Sequence, residues 1–249
     1  MQLIFVLLFG LVLGSFVNVL IWRVPKGLTL AGRSFCPNCR RKISWFDNIP
    51  LLSFILLKGK CRNCKKKVSW RYPLVELLFG AITLLLFLKF GLTLEFIFYV
   101  LLSIILVSIF VIDLMHQIIP DELVFAGTAI SLLFNFSFGN LFSGFLAATF
   151  LLVLHLITKG KGMGLGDVKL AILGGMVVGL NNVFYWLALA FLTGAVIGCI
   201  LILGKSANLK SKIAFGPFLI AALLYEILFQ IRILSRSNYF CRTYNYFFS

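Results

Sequence analysis

Acidic side chains are what this sequence has least of: eight Asp and Glu stand among 249 residues, against 23 Lys and Arg. Charge of either sign is scarce, at 12% of the chain. With 61% hydrophobic residues and a mean hydropathy of +1.05, that scarcity excludes a soluble globular domain. Polar stretches are also few, and only residues 23–73 form a substantial one. No Lys or Arg precedes Arg23, so the first apolar run lacks the charged flank of a secretory signal. It reads as an uncleaved anchor with an outside N-terminus. The sequence also has no strand, glycine-loop and helix unit of the nucleotide-binding kind, and no obvious inverted repeat.

What is present is a succession of apolar runs near 2–22, 74–88, 96–112, 123–138, 141–158, 168–180, 183–203 and 213–231. Backbone groups in lipid must be hydrogen-bonded internally, and runs of this length favour helices over barrel strands. The expected fold is an all-α polytopic membrane protein with about eight transmembrane helices and a small cytoplasmic insert after the first. Several runs fall short of the roughly 20 residues that a perpendicular crossing needs. Four regions follow: the first helix at 1–22, the insert at 23–73, a membrane core at 74–231, and a basic, aromatic tail at 232–249.

Thirteen of the 23 basic residues lie between Arg23 and Arg71, where Asp47 is the only acid. Lys159, Lys161 and Lys169 occupy a second loop, and Lys205, Lys210 and Lys212 a third. These regions share one side if the helices alternate, and the positive-inside rule makes that side cytoplasmic. The turns near 89–95, 137–140 and 181–182 are short and nearly uncharged, as expected outside. Topology thus accounts for the net charge of +15 without a nucleic-acid partner. The tail, with Arg232, Arg236 and Arg242, falls outside in this scheme, against the charge rule.

Within the insert stand Cys36-Pro37-Asn38-Cys39 and Cys61-Arg62-Asn63-Cys64. Paired C-x-x-C knuckles about twenty residues apart match a four-thiolate zinc site. Arg40, Arg41, Lys60 and Lys65–Lys67 would offset the charge of a tetrathiolate centre. Two disulfides or four unrelated thiols are the alternatives, and a cytoplasmic placement disfavours the first. With all four positions taken by cysteine, the zinc is read as structural, a staple for an insert too small to bury much core. Cys199 and Cys241 are read as bystanders. Between the knuckles, an apolar stretch broken by Pro50 is expected to lie on the membrane surface, with Trp45, Trp70 and Tyr72 as interfacial anchors.

Two aspartates stand where charge is least expected. Asp113 ends the run Ile109-Phe110-Val111-Ile112, at the end of a helix where a negative charge is unfavourable, and so needs a function or a partner. Asp121 and Glu122 follow Pro120 and are explained as residues of a new helix start; His116 reads as a loop residue. Asp167 follows Gly162, Gly164 and Gly166. Those glycines permit positive φ and close backbone approach, so that an extended peptide could hydrogen-bond to the main chain of the loop. The alternative is a helix-start aspartate on a tight turn. Two carboxylates at one membrane-depth site are the minimal equipment for aspartic-type hydrolysis, one ionised as base and the other protonated as acid.

Taken together, the motifs resemble the type IV prepilin peptidases over nearly the whole chain. The resemblance is carried by Gly14-Ser15-Phe16-Val17-Asn18-Val19 with Arg23 and Pro25, both cysteine knuckles, Asn48-Ile49-Pro50, and Gly59-Lys60-Cys61. It continues through Arg71-Tyr72-Pro73-Leu74-Val75-Glu76, Asp113, Ile119-Pro120-Asp121, Gly164-Leu165-Gly166-Asp167 and Phe215-Gly216-Pro217-Phe218. It implies an intramembrane aspartic peptidase of the GxGD kind with Asp113 and Asp167 as the catalytic pair. The substrates would be prepilins or pseudopilins, cut after glycine at the cytoplasmic face of the bacterial inner membrane. It further implies methylation of the new N-terminus with S-adenosylmethionine, an activity with which Gly59 is associated; the four cysteines favour this two-function form over protease-only relatives. A transporter using intramembrane carboxylates is the competitor from another class, and it offers the zinc insert no role. A membrane-anchored zinc-knuckle adaptor would need neither the many passes nor the aspartates.

Overall fold

The computed structural model describes residues 1–160, 162–204 and 214–230. The expectations for Lys161, for Lys205, Lys210 and Lys212, and for the tail with Cys241 lie outside the described residues. The chain divides into two compact units, Met1–Met115 and His116–Ser249. Among the described residues the structure is helical, with no strand beyond two isolated bridges.

The first unit contains α1 (Gln2–Arg23), the short α2 (Leu52–Leu56), α3 (Arg71–Phe90) and α4 (Leu94–His116). α1 and α3 approach at small residues. A Cβ on Gly10 would stand 2.8 Å from Thr83 Cβ, and one on Gly14 would stand 2.8 Å from Glu76 Cα. Such a seam lets two backbones pack without side chains between them, the usual device of helices in lipid. Gly91, at φ +65°, ends α3 and donates its N–H to Phe87 O at 2.8 Å. α4 buries Phe98, Leu102, Leu106, Ile109 and Ile112 but also Tyr99, Ile104 and Val111, so it is apolar all round rather than amphipathic.

The insert is tied to α1 through Arg23 and through Trp22, whose ring meets Phe35 edge-on at 5.1 Å. The buried Arg23 guanidinium donates to the carbonyls of Thr29, Leu30 and Ala31 at 2.7–2.9 Å, and of Gly32 and Arg33 at 3.2 Å. A further tie comes from α3, where Glu76 Oε2 accepts the Leu51 N–H at 2.9 Å. Leu51 holds φ +59°, a left-handed conformation unfavourable for a residue with a Cβ, and this bond fixes it there.

The second unit contains α5 (Asp121–Phe134), α6 (Phe138–Ile157), α7 (Leu165–Val178), α8 (Val183–Leu203) and α9 (Gly216–Tyr225), the last continued by a π turn at Glu226–Gln230. α6 and α7 meet at Gly144 and Gly175, where a Cβ on Gly175 would come within 2.7 Å of Ser143 O. Trp186 of α8 is fully buried against Gly174 of α7 and donates its indole N–H to Leu219 O of α9 at 3.0 Å.

Among the described residues, each of the eight apolar runs contains a helix, and five of these helices are long and apolar enough to cross a membrane: those starting at Gln2, Arg71, Leu94, Phe138 and Val183. α5 and α7 have 14 residues each, and α9 has 10 before its π turn.

Candidate functional site

The two knuckles are one structural device used twice. In the first, Arg40 N–H donates to Cys36 O at 2.9 Å and Cys36 N–H to Arg41 O at 3.0 Å. In the second, Lys65 N–H donates to Cys61 O at 3.0 Å and Cys61 N–H to Lys66 O at 2.9 Å. Arg40 and Lys65 hold φ +55° and +57°, and an isolated antiparallel bridge closes each turn, Phe35 with Lys42 and Lys60 with Lys67. The result brings the sulfurs of Cys36, Cys39, Cys61 and Cys64 within 4.8 Å of one another, with Cys36 and Cys64 3.9 Å apart. Four thiolates on one tetrahedral ion with bonds of about 2.3 Å stand about 3.8 Å apart, so the cluster fits a tetrathiolate metal site. None of the four is in a disulfide.

The surroundings hold the thiolates and balance them. Asn38 Nδ2 of the first knuckle donates to Cys64 Sγ at 3.5 Å, and Lys66 Nζ fixes the same amide by donating to its Oδ1 at 2.7 Å. The Cys64 thiol is drawn down to about 6, first by a hydrogen bond from the Lys66 backbone and then by Asn38. Cys39 is held up, at about 11: a hydrogen bond from the Arg41 backbone lowers it, but desolvation and the neighbouring Cys36 and Cys64 outweigh that. Arg62 grips Asp47 with both Nε and a terminal nitrogen at 2.7–2.8 Å, which closes the apolar stretch onto the second knuckle.

Of the eight acids, four are buried: Glu76, Asp113, Asp167 and Glu226. Asp113 belongs to the first unit, one turn before the end of α4, and is 4% exposed. His116 closes that helix and is exposed. Asp167 belongs to the second unit, in the first turn of α7, and is 6% exposed. Its Oδ2 accepts the Gly164 N–H at 3.0 Å, the backward half of a capping box, so the helix-start reading of this aspartate is correct as far as it goes. Asp121 and Glu122 open α5 as expected, and Asp121 also pairs with Lys169 of α7 at 2.8 Å on the exposed surface.

Of the two uses that the sequence allows the loop glycines, the structure takes close approach. Positive φ falls at Lys159 and Gly160, not at Gly162, Gly164 or Gly166; Gly164 is extended at φ −83°. These glycines serve close approach instead: a Cβ on Gly166 would stand 3.0 Å from Ile119 Cβ, and one on Gly162 3.1 Å from Thr158. The loop is pinned from α6, where His155 Nδ1 donates to Met163 O at 2.7 Å. Gly59 does take a left-handed conformation, φ +65°, where its N–H donates to Phe54 O at 2.8 Å and ends α2.

Sequence reasoning singled out neither Arg23, as the anchor of the insert, nor Glu76 and Glu226, as buried acids. The available signal was the same as for Asp113: a charge where the chain otherwise has almost none.

These features define an all-helical polytopic protein carrying a four-cysteine cluster able to hold a metal ion and buried carboxylates in each unit. Residues 8–90 match the bacterial peptidase A24 N-terminal domain, and residues 100–199 match the type IV leader peptidase family. The prepilin leader peptidase/N-methyltransferase of Legionella pneumophila is 32% identical across 85% of this chain and 86% of its own. Proteins of the same description from Stutzerimonas stutzeri and Pseudomonas aeruginosa are 33% and 32% identical, each over 87% of this chain and 86% of theirs. No solved structure matches the chain. The chain belongs to the type IV leader peptidase family.

Proposed function

We propose that this protein is a prepilin leader peptidase that also methylates the new N-terminus of its product, acting in the bacterial cytoplasmic membrane. The observation that carries this reading is the burial of Asp113 and Asp167, each in an apolar helix, within the segment that matches the leader peptidases. Aspartic-type hydrolysis needs one carboxyl group ionised and the other protonated, and in this reading Asp113 and Asp167 supply the two. The ionised one takes a proton from water as the water oxygen attacks the scissile carbonyl. The protonated one donates its proton to the carbonyl oxygen. Collapse of the tetrahedral species releases a leader ending in glycine and a mature pilin or pseudopilin whose apolar helix stays in the bilayer. Gly164 and Gly166 line the approach of the extended substrate strand, a reading supported by the extended backbone of Gly164, which could pair with it.

The chain crosses the membrane eight times in this reading, with the N-terminus outside and both the insert and the α6–α7 loop in the cytoplasm. Cys36, Cys39, Cys61 and Cys64 hold a structural zinc ion that staples the insert and takes no part in the reaction. S-adenosylmethionine supplies an electrophilic methyl group to the freed amine, and Gly59 shapes the region in which this happens. The test is incubation of the purified protein with a synthetic prepilin-like peptide, with and without S-adenosylmethionine, followed by mass spectrometry. A cut after glycine plus one methyl on the mature fragment is expected. A cut without the methyl would leave a peptidase alone, and no cut would return the chain to a transporter reading.

A further inference from the structure

A cavity of about 540 Å³ lies within the first unit, bordered by α1, the paired knuckles and the first turns of α3. Two buried polar atoms on its lining have no hydrogen-bond partner, Asn18 Oδ1 and Arg71 Nε. Both side chains are held in place. Asn18, 3% exposed, donates through Nδ2 to Tyr72 O at 3.0 Å, and Arg71 donates to Met115 Sδ at 3.0 Å with its guanidinium 4.8 Å from the Tyr72 ring. Neither atom can reach a partner by swinging away without breaking those contacts. Glu76, 8% exposed, also faces this space; its carboxylate accepts the Leu51 N–H and a hydrogen bond from the Ser15 hydroxyl, and its remaining lone pairs can take a further donor. Gly14 packs on Glu76 while Asn18 reaches Tyr72, so the two side chains sit one turn apart along the same seam.

Basic side chains dominate the lining, among them Arg41, Lys60, Lys66, Lys67 and Arg71, so its acceptors are few and placed. Asp47, the other acid on the lining, is already gripped by Arg62, whereas no ion pair among the described residues involves Glu76. The cavity therefore presents acceptors at Glu76 and Asn18, a donor at Arg71, and aromatic walls from Trp22, Phe35 and Phe54. That set complements a molecule with an ammonium group, a carboxylate and a flat ring, and the volume is that of a small-molecule site, about 300–1,000 Å³. We infer that this cavity binds S-adenosylmethionine, with Glu76 and Asn18 receiving its ammonium group and Arg71 its carboxylate. The inference rests on the methyltransferase part of the proposed function. It also gives Gly59 a role other than contact. A Cβ there would stand 3.1 Å from Phe54 Cζ, so any side chain would push that ring, which packs 4.9 Å from Trp70, out of its place in the wall.

The test uses the full-length protein in detergent. Equilibrium dialysis with labelled S-adenosylmethionine should show Glu76→Gln and Arg71→Gln weakening binding by about tenfold to a hundredfold, with zinc content unchanged. Ultraviolet crosslinking of the same ligand to the unmodified protein should place the label on peptides within residues 15–76. Binding by Glu76→Gln within about twofold of the unmodified protein overturns the site, as does label confined to residues 116–230. If Glu76→Gln loses zinc, the crosslink map decides alone. An unmodified protein that neither binds the donor nor methylates the cut peptide refutes the methyltransferase reading itself. Methylation that persists with label elsewhere refutes only this site.

Discussion

The Gly164 N–H donates to Asp167 Oδ2 at 3.0 Å, so the aspartate proposed to catalyse hydrolysis also caps its own helix. The two roles separate on substitution. Asparagine keeps an oxygen for the Gly164 N–H but no longer transfers a proton. Asp167→Asn should change stability by no more than about 1 kcal/mol while lowering peptide cleavage about 10²- to 10⁴-fold. Asp113→Asn should lose cleavage to the same extent. Thermal unfolding beside a prepilin-peptide assay checks both, and retained cleavage by either variant refutes the pair.

Arg23 gathers five carbonyls of residues 29–33 into one planar fork. An ammonium group cannot reproduce that spread of donors. Arg23→Lys should therefore expose residues 24–70 to limited proteolysis, with a loss of about 1.5–3 kcal/mol in the stability of the insert. Digestion no faster than in the unmodified protein would show the cage to be dispensable.

Removing the metal should loosen the insert and leave the helices folded. Dialysis against a strong chelator is expected to shift the fluorescence of Trp45 and Trp70 while the circular dichroism of the helices persists. Reloading should weaken as pH falls, because a thiol must lose its proton to bind. The Cys64 thiol, drawn down to about 6, is protonated below that pH, and the proton then competes with the metal for its sulfur. Metal analysis across a pH series checks the sign; tighter loading at low pH would contradict it.

Gly175 meets backbone rather than a movable side chain, with Ser143 O and Gly144 Cα at 2.7 and 2.8 Å from where a Cβ would stand. Gly175→Val should cost about 3 kcal/mol or more, at the upper end for overpacked cores, because α6 must move as a whole. A thermal midpoint unchanged by the substitution would mean that the two helices are less tightly packed than the structure has them.

Much of this was legible beforehand because lipid leaves so few options. The run at 74–88 became Arg71–Phe90 and the run at 141–158 became Phe138–Ile157, since hydropathy alone marks where backbone must be helical. The thiolate cluster was equally plain, its spacing being a local property of two short turns. Asp113 and Asp167 stood out because each stands at an end of an apolar helix in a chain with few acids. The rest depends on contacts distant in sequence. Nothing local to Arg23 announces five carbonyls, and nothing near Leu51 announces Glu76. The sequence lets the glycines at 162, 164 and 166 serve positive φ or close approach, and what excludes a side chain at Gly166 is Ile119, from another helix connection. Composition permits a glycine two explanations, and only packing chooses between them.

Neither knuckle alone offers a full set of ligands, so an ion shared between Cys36–Cys39 and Cys61–Cys64 closes the intervening chain into a ring. Tying off a loop of about twenty-five residues removes on the order of 3 kcal/mol of unfolded-chain entropy, a contribution that owes nothing to burial. A short segment carrying the exposed Trp45 and Phe46 can thus stay ordered without a core of its own. Lengthening it between the knuckles would be tolerated far better than cutting it once.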